Sequence, residues 1–285
     1  MLSWLPPSMK RRLRGQWKSL RLAVVRRGYA FSGADLLQAF RELGIEIGDT
    51  LLVHSSLDQF EGFTGKPTEI LSLLQNAVGP SGALLLPTLP YTGSAVEYAT
   101  GSGVFDVKRT PSKMGLLTEL FRRTAGVIRS VHPTHAVAIW GASAAVLASG
   151  HAEAKTPCGV GTPYARLLDC NGKILFLGCD IESMTFFHTV EEILETGMPF
   201  SPFTKEEYLL QSRDAEGRIW ETRTRLFEPA YSRKRNLGKL IPVLKEQGGW
   251  KEKRIGTLHM LLLGTRQVLK ACETLASRGM YCYDA

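Results

Sequence analysis

Thr50-Leu51-Leu52-Val53-His54-Ser55-Ser56-Leu57 is a short apolar run that turns polar at its end. It follows the turn residues Gly48-Asp49, and its length predicts a buried strand over residues 50–54. Working outward, Ser32-Gly33-Ala34-Asp35 has the form of a helix start, with Ser32 as N-cap and Asp35 three residues on. Leu36, Leu37, Phe40 and Leu43 then recur at helical spacing until Gly44. On the other side, residues 67–78 read as a helix with Pro67 in its first turn. Gly79-Pro80-Ser81-Gly82 reads as a turn, and residues 83–87 as the next strand. The rhythm continues with helices over 115–123, 142–150 and 188–196 and strands over 136–140 and 173–177. Such alternation predicts a three-layer α/β/α sandwich with a central mixed, largely parallel sheet. The C-terminal third changes to an irregular α+β character. Residues 205–227 alternate as a hairpin does, and residues 237–247 and 265–278 read as helices. No repeat, low-complexity tract or linker interrupts the chain, so a single domain over 30–285 is expected after an N-terminal arm, residues 1–29.

Composition bounds the function classes. Of 285 residues, 44% are apolar and 22% charged, as in an ordinary globular protein. No apolar run approaches the ~20 residues of a membrane span. The N-terminus lacks the order of a secretory leader, and the five cysteines show no metal-like spacing, so a reducing, cytoplasmic setting is expected. The net charge of +8 is concentrated in the arm, where eight basic residues between Lys10 and Arg27 have no acid among them. With Trp4 and Trp17 interleaved, residues 1–27 fit either a peripheral contact with an anionic membrane or nucleic acid, or a solvated helix packed on the domain.

Several segments carry candidate chemistry. His54, Ser55, Ser56 and Leu57 stand where a buried strand ends, the edge at which α/β sheets collect ligands. The alternative is a polar turn that only caps the strand. Gly62-Phe63-Thr64-Gly65-Lys66-Pro67-Thr68 is not a phosphate loop, because its glycines are too close and Pro67 follows the Lys. Thr110-Pro111-Ser112-Lys113-Met114-Gly115 opens a helix whose N–H groups suit an anion, unless Ser112 simply caps it. His132-Pro133-Thr134-His135 has two imidazoles but no further metal ligands, so no metal is expected. Cys158 has no basic neighbour to activate it and reads as structural. Thr185, His188 and Glu191 fall at spacings of three. On a helix this sets a carboxylate beside an imidazole, fixing its tautomer as a general base requires.

In order and spacing, these segments resemble the aminoglycoside 3-N-acetyltransferases. The resemblance rests on His54-Ser55-Ser56-Leu57, Phe105-Asp106, Ser112-Lys113-Met114-Gly115, His132-Pro133, Gly161-Thr162-Pro163-Tyr164 with Arg166-Leu167, and Thr185, His188 and Glu191. It covers nearly the whole chain except the arm. It implies acetyl-CoA as cosubstrate, held at 54–57 and 112–115, and a small-molecule amine as acceptor, with no nucleic acid. It implies direct transfer with His188 as base, Glu191 polarising it, and Thr185 near the oxyanion. His132 fits the family pattern better than His135. Asp106, His135, Asp180 and Glu192 are the candidate acceptor contacts. One departure bears on the acceptor: aminoglycosides are polycations, whereas this chain is basic, so another amino sugar, anionic or nucleotide-linked, stays open beside them. The rival from another class is a non-catalytic CoA-fold protein, or a membrane- or nucleic-acid-binding module led by the arm.

Overall fold

The computed structural model describes residues 9, 13, 24, 25, 27–101 and 103–284. The contact expected of residues 1–27 therefore falls almost wholly outside the described residues. Among those residues no helix is long and apolar enough to cross a membrane.

A seven-stranded sheet runs through the molecule in the order β4-β5-β2-β1-β6-β10-β9. Its strands are β1 (Thr50–Ser55), β2 (Ala83–Pro87), β4 (Ile128–Arg129), β5 (Val137–Gly141), β6 (Lys173–Leu177), β9 (Lys251–Ile255) and β10 (Leu258–Gly264). The sheet is mixed, as expected, but its parallel part is confined to β2, β1 and β6. The outer pairings are antiparallel. The reason is local. β10 follows β9 through a tight turn, and β5 returns beside β2 instead of crossing over. A second sheet joins β3 (Phe105–Asp106) to the hairpin β7 (Phe203–Arg213) and β8 (Ile219–Phe227).

Period-two alternation divides the core into two layers. Leu52, Ile174, Phe176, Leu261 and Leu263 face one side. There they meet helices Pro163–Asp169, Phe187–Leu194, Leu240–Glu246 and Thr265–Ala276. Leu51, Val53, Leu175, Leu177, Met260 and Leu262 face the other. There they meet Gly33–Leu43, Pro67–Val78 and Leu116–Phe121. With both faces covered, the central strands are apolar throughout, which is why they read as continuous runs. The helix Gly33–Leu43 forms as its sequence predicts: Ser32 Oγ accepts from Asp35 N–H, Asp35 accepts from Ser32 N–H, and Gly44 ends it at φ 98°.

The expected helices over 115–123 and 142–150 are shorter, Leu116–Phe121 and Ala144–Ala148. β9 escaped prediction because Lys251-Glu252-Lys253-Arg254-Ile255 is an exposed edge strand. Its charges discourage pairing with another chain, and they hide its period.

One sheet edge matters for function. β1 and β6 run parallel with Ser55 opposite Leu177, and Pro87 at the end of β2 pairs with Val137 at the start of β5. The carboxyl ends of three strands and the segment entering a fourth therefore meet there. His54-Ser55, the residues after Pro87, the residues before Val137 and the segment after Leu177 are brought together by this topology.

Candidate active site

A cavity of about 500 Å³ opens at this edge, within the range of small-molecule sites. Its wall includes Tyr91, Met114, His135, Thr185, His188 and Phe227. A second cavity, of about 300 Å³, lies at the ends of β1 and β2 and is lined by His54, Ser55, Pro87, Met114, Thr118, Cys179, Ser183 and Thr185. Met114 and Thr185 belong to both walls, so the two spaces adjoin.

His188 sits in the first turn of helix Phe187–Leu194, directly after the segment that leaves β6. Its Nδ1 is 2.5 Å from Glu191 Oε2, the contact that their three-residue spacing allows. Glu191 is 1% exposed. Its other oxygen accepts from the Tyr283 hydroxyl and lies 3.5 Å from Arg235 Nε. Burial alone would raise the Glu191 pKa, but His188, Arg235 and these hydrogen bonds reverse the effect and hold it below the ordinary carboxylate value. Burial, helped by Arg235, lowers the His188 pKa despite the opposing pull of Glu191. The resting pair is thus a neutral imidazole donating Nδ1–H to a carboxylate. That leaves the Nε2 lone pair as the basic site of a ring that lines the cavity. Phe227, the last residue of β8, stacks on the imidazole with ring centroids 3.7 Å apart.

The other histidines differ in role. His135 lines the cavity, with Nε2 3.3 Å from the Tyr91 hydroxyl and Nδ1 2.9 Å from Thr134 Oγ1. His132 is fully buried behind it and does not line the cavity. Its Nδ1 accepts from the N–H groups of Thr134 (3.3 Å) and His135 (3.1 Å), so it shapes the turn that presents His135. The resemblance implies a catalytic part for His132; in this structure it lies behind the cavity wall and holds the turn. His151, stacked on His132 at 4.5 Å, was not anticipated.

His54 is buried against Phe176, and its Nε2 has no hydrogen-bond partner among the described residues. Burial drives its pKa down to about 3, so at neutral pH it is an uncharged hydrogen-bonding group and not a cation. Ser55 shares that wall, but Ser56 and Leu57 turn away into the short helix Leu57–Gln59. At 112–115 the backbone is occupied otherwise than expected. Ser112 N–H donates to Glu119 Oε2 (2.8 Å), Lys113 N–H to Leu89 O (2.8 Å) and Met114 N–H to Ser112 Oγ (3.2 Å). Three donors expected for a phosphate are therefore already used. Met114 and the exposed Lys113 side chain remain, with Gly115 at φ 109° permitting the turn.

Among the expected acceptor contacts, His135 is in the cavity. Asp106 instead closes its own turn, accepting from the N–H groups of Lys108 and Arg109, both at 2.9 Å. Asp180 caps the turn Ile181–Ser183, and Glu192 accepts from Thr156 Oγ1 at 2.5 Å. None of these three lines the cavity, because each is satisfied by its own local backbone or a neighbouring hydroxyl. Cys158 is fully buried and burial pushes its thiol well up, which makes it a poor nucleophile. Among the described residues no group of three or more His, Cys, Asp or Glu could hold a metal ion. Tyr91, Phe227, Arg233, Arg235 and Tyr283 carried no sequence signal: they are ordinary residues of loops and strand ends, joined to the site only by tertiary folding.

Comparison with known proteins places this arrangement. Residues 52–276 match the family described as aminoglycoside 3-N-acetyltransferase. The chain is 28% identical over 199 residues to aminoglycoside N(3)-acetyltransferase III of Salmonella sp, spanning 66% of this chain and 68% of that one. In structure it is similar to aminoglycoside acetyltransferase AAC(3)-Xa, with a TM-score of 0.76 and 22% identity over 90% of this chain and 95% of that one. It is also similar to AAC-IIIb in its binary complex with CoASH, with a TM-score of 0.74 and 19% identity over 90% and 99% of the two chains. At such identities the structural likenesses establish a shared fold. The match over most of the chain establishes more: this protein belongs to the aminoglycoside 3-N-acetyltransferase family of acyltransferases.

Proposed function

We propose that the protein transfers the acetyl group of acetyl-CoA to a primary amine of an aminoglycoside or another amino sugar, with His188 as general base. The observation that carries this reading is the neutral imidazole on the cavity wall, its Nδ1 fixed 2.5 Å from a buried carboxylate. His188 Nε2 takes the proton from the acceptor nitrogen as that nitrogen attacks the thioester carbonyl. Thr185, common to both cavities, would stabilise the tetrahedral oxygen. Collapse releases the thiol of CoA and leaves an amide. The buried Cys158 supports direct transfer without an acyl-enzyme.

The adjoining cavity suits the pantetheine arm of CoA. Orphaned His54 Nε2 and Ser55 offer hydrogen bonds to its amides, while Lys113 is a cation within the neighbouring turn. The test of transfer is thiol release from acetyl-CoA with a panel of amines: amine-dependent release is expected, and CoA binding without release would refute it. The test of placement is Ser55→Asp. A carboxylate on that wall should weaken CoA binding by about ten-fold or more in calorimetry, because like charge repels the anionic ligand and a buried charge lacks a partner. Unchanged affinity in a folded variant would put CoA elsewhere.

A further inference from the structure

Cys282, Tyr283 and Asp284 are tied back to the segment that follows helix Pro229–Ser232. Asn236 N–H donates to Cys282 O (2.9 Å) and Asp284 N–H to Lys234 O (2.8 Å), so Arg235 and Tyr283 stand directly opposite in an antiparallel bridge. Opposed residues of such a pair carry their side chains on one face. Here both reach Glu191. The Tyr283 hydroxyl donates to Oε1. Arg235 Nε lies 3.5 Å from the same oxygen but outside hydrogen-bond geometry, so it acts through its charge. Oε2 is left to His188 Nδ1. Asn236 Nδ2 (3.0 Å) and Lys239 Nζ (3.2 Å) hold Asp284, and Phe200 packs edge-on against the Tyr283 ring at 5.0 Å. The C-terminal tie thus aims two side chains at one buried oxygen.

A carboxylate beside an imidazole orients the ring, but it also favours the imidazolium, which cannot act as a base. Glu191 is buried, where its field on the ring is little screened. Arg235 and Glu191 act on His188 in opposite directions, Arg235 against protonation and Glu191 for it. The other titratable groups facing the pair are neutral or engaged. Burial holds His135, with its ring 5.9 Å from that of His188, in the neutral form. Burial also keeps Tyr91 a phenol and Cys158 a thiol, and Cys272 is kept a thiol by its hydrogen bond with Cys282 and by burial. Glu192 is bonded to Thr156, and Arg233 is exposed to solvent. We propose that Tyr283 and Arg235 are positioning residues of the acetyl transfer: by engaging one oxygen of Glu191 they let the other orient His188 without protonating it. This assignment rests on the transfer reaction proposed above, with His188 as base. Removing the phenol makes Glu191 more basic, and removing the guanidinium also takes away an opposing charge. Either change lets the His188–Glu191 pair take up a proton at higher pH. Glu191→Gln moves the same titration the other way.

The experiment reads the His188 imidazole directly, by NMR of protein labelled with 15N-histidine, its signal identified by its loss in His188→Ala. In the parent protein the ring should be the neutral Nδ1–H tautomer with a titration midpoint below 6.5. Arg235→Gln should raise the midpoint by roughly one pH unit or more, the effect of one nearby charge. Tyr283→Phe, which keeps the ring and lies outside the wall of the larger cavity, should raise it too. Arg235→Lys should bring it back toward the parent value, since charge is what acts. In acetyl transfer the acidic limb of kcat/KM should move with the midpoint. Arg235→Gln should then lose roughly ten-fold below the limb and regain much of it at pH 8. KM for acetyl-CoA should stay unchanged, because neither residue lines the adjoining cavity. An unmoved or lowered midpoint in either folded variant, with activity lost equally at every pH, overturns the part assigned to that residue. An Arg235→Lys midpoint equal to that of Arg235→Gln overturns the role of the charge. Midpoints that move as expected, with no thiol release for any amine, sink the transfer reaction and leave the tuning of His188 standing.

Discussion

His188→Ala is expected to lower turnover by roughly two to four orders of magnitude, the range for removal of a positioned general base. CoA binding should stay close to that of the parent protein, because the wall nearest His54 and Ser55 does not include His188. On the proposed reading the effect is large because Nε2 is a base prepared in advance. Glu191 fixes the proton on Nδ1, and Phe227 holds the ring plane. Glu191→Gln tests the preparation itself. It removes the one charge that raises the imidazole pKa, so the acidic limb of kcat/KM should move to still lower pH while the plateau falls. In the parent protein that limb lies below 6.5, since burial and Arg235 depress the base. A His188→Ala variant with near-normal turnover would dismiss the assignment.

Acid should destabilise the protein earlier than its carboxylates alone would. Five of the six histidines are buried and held below their ordinary pKa, chiefly by burial: His54 to about 3, His151 to about 4, and His132, His135 and His188 by direction. Below pH 6.5 the unfolded chain takes up protons that the native state refuses. Stability is therefore full well above 6.5, begins to fall as pH approaches 6.5 and keeps falling as pH drops toward the folded values. By pH 5 the shifts of His54 and His151 alone amount to about 2 kcal/mol each, at 1.36 kcal/mol per pKa unit. Together that is a large part of a typical stability of 5–15 kcal/mol. Glu119, lowered to about 2, contributes in a separate window, lost only as pH falls below 4.5. Urea unfolding should show a loss of about 0.4 kcal/mol per buried histidine between pH 8 and pH 6.5, up to about 2 kcal/mol for all five, and then a further fall of several kcal/mol by pH 5. An unchanged midpoint at pH 5 would show that these imidazoles are protonated inside the fold.

The sequence made the local chemistry legible. His188 and Glu191 are three residues apart on one helix, so their contact follows from helical geometry. The strand at 50–54 and its polar end follow from an apolar run between turn residues. The antiparallel outer strands were not legible, because pairing direction depends on how β5 and β10 return, which no short pattern encodes. Nor were the walls of the larger cavity. Asp106, Asp180 and Glu192 are acids of the right kind near the right segments, yet local hydrogen bonds claim them. Arg233 and Arg235 arrive from the C-terminal third, where nothing in the sequence marks them. The 112–115 turn shows the same limit. Its donors suit an anion, and the chain satisfies part of that demand with its own Glu119.

The bond from Tyr283 to Glu191 joins residues 92 positions apart. Synthesis runs from the N-terminus at roughly 5–20 residues per second, so about 5 to 18 seconds separate the emergence of the two partners. In that interval the nascent chain holds His188 and its carboxylate, but the phenol that steadies the carboxylate is not yet made. The helix Thr265–Ala276, which packs on the same layer, is also missing for most of it. Until Tyr283 is made, the carboxylate beside His188 lacks one of the hydrogen bonds that hold it in the finished protein.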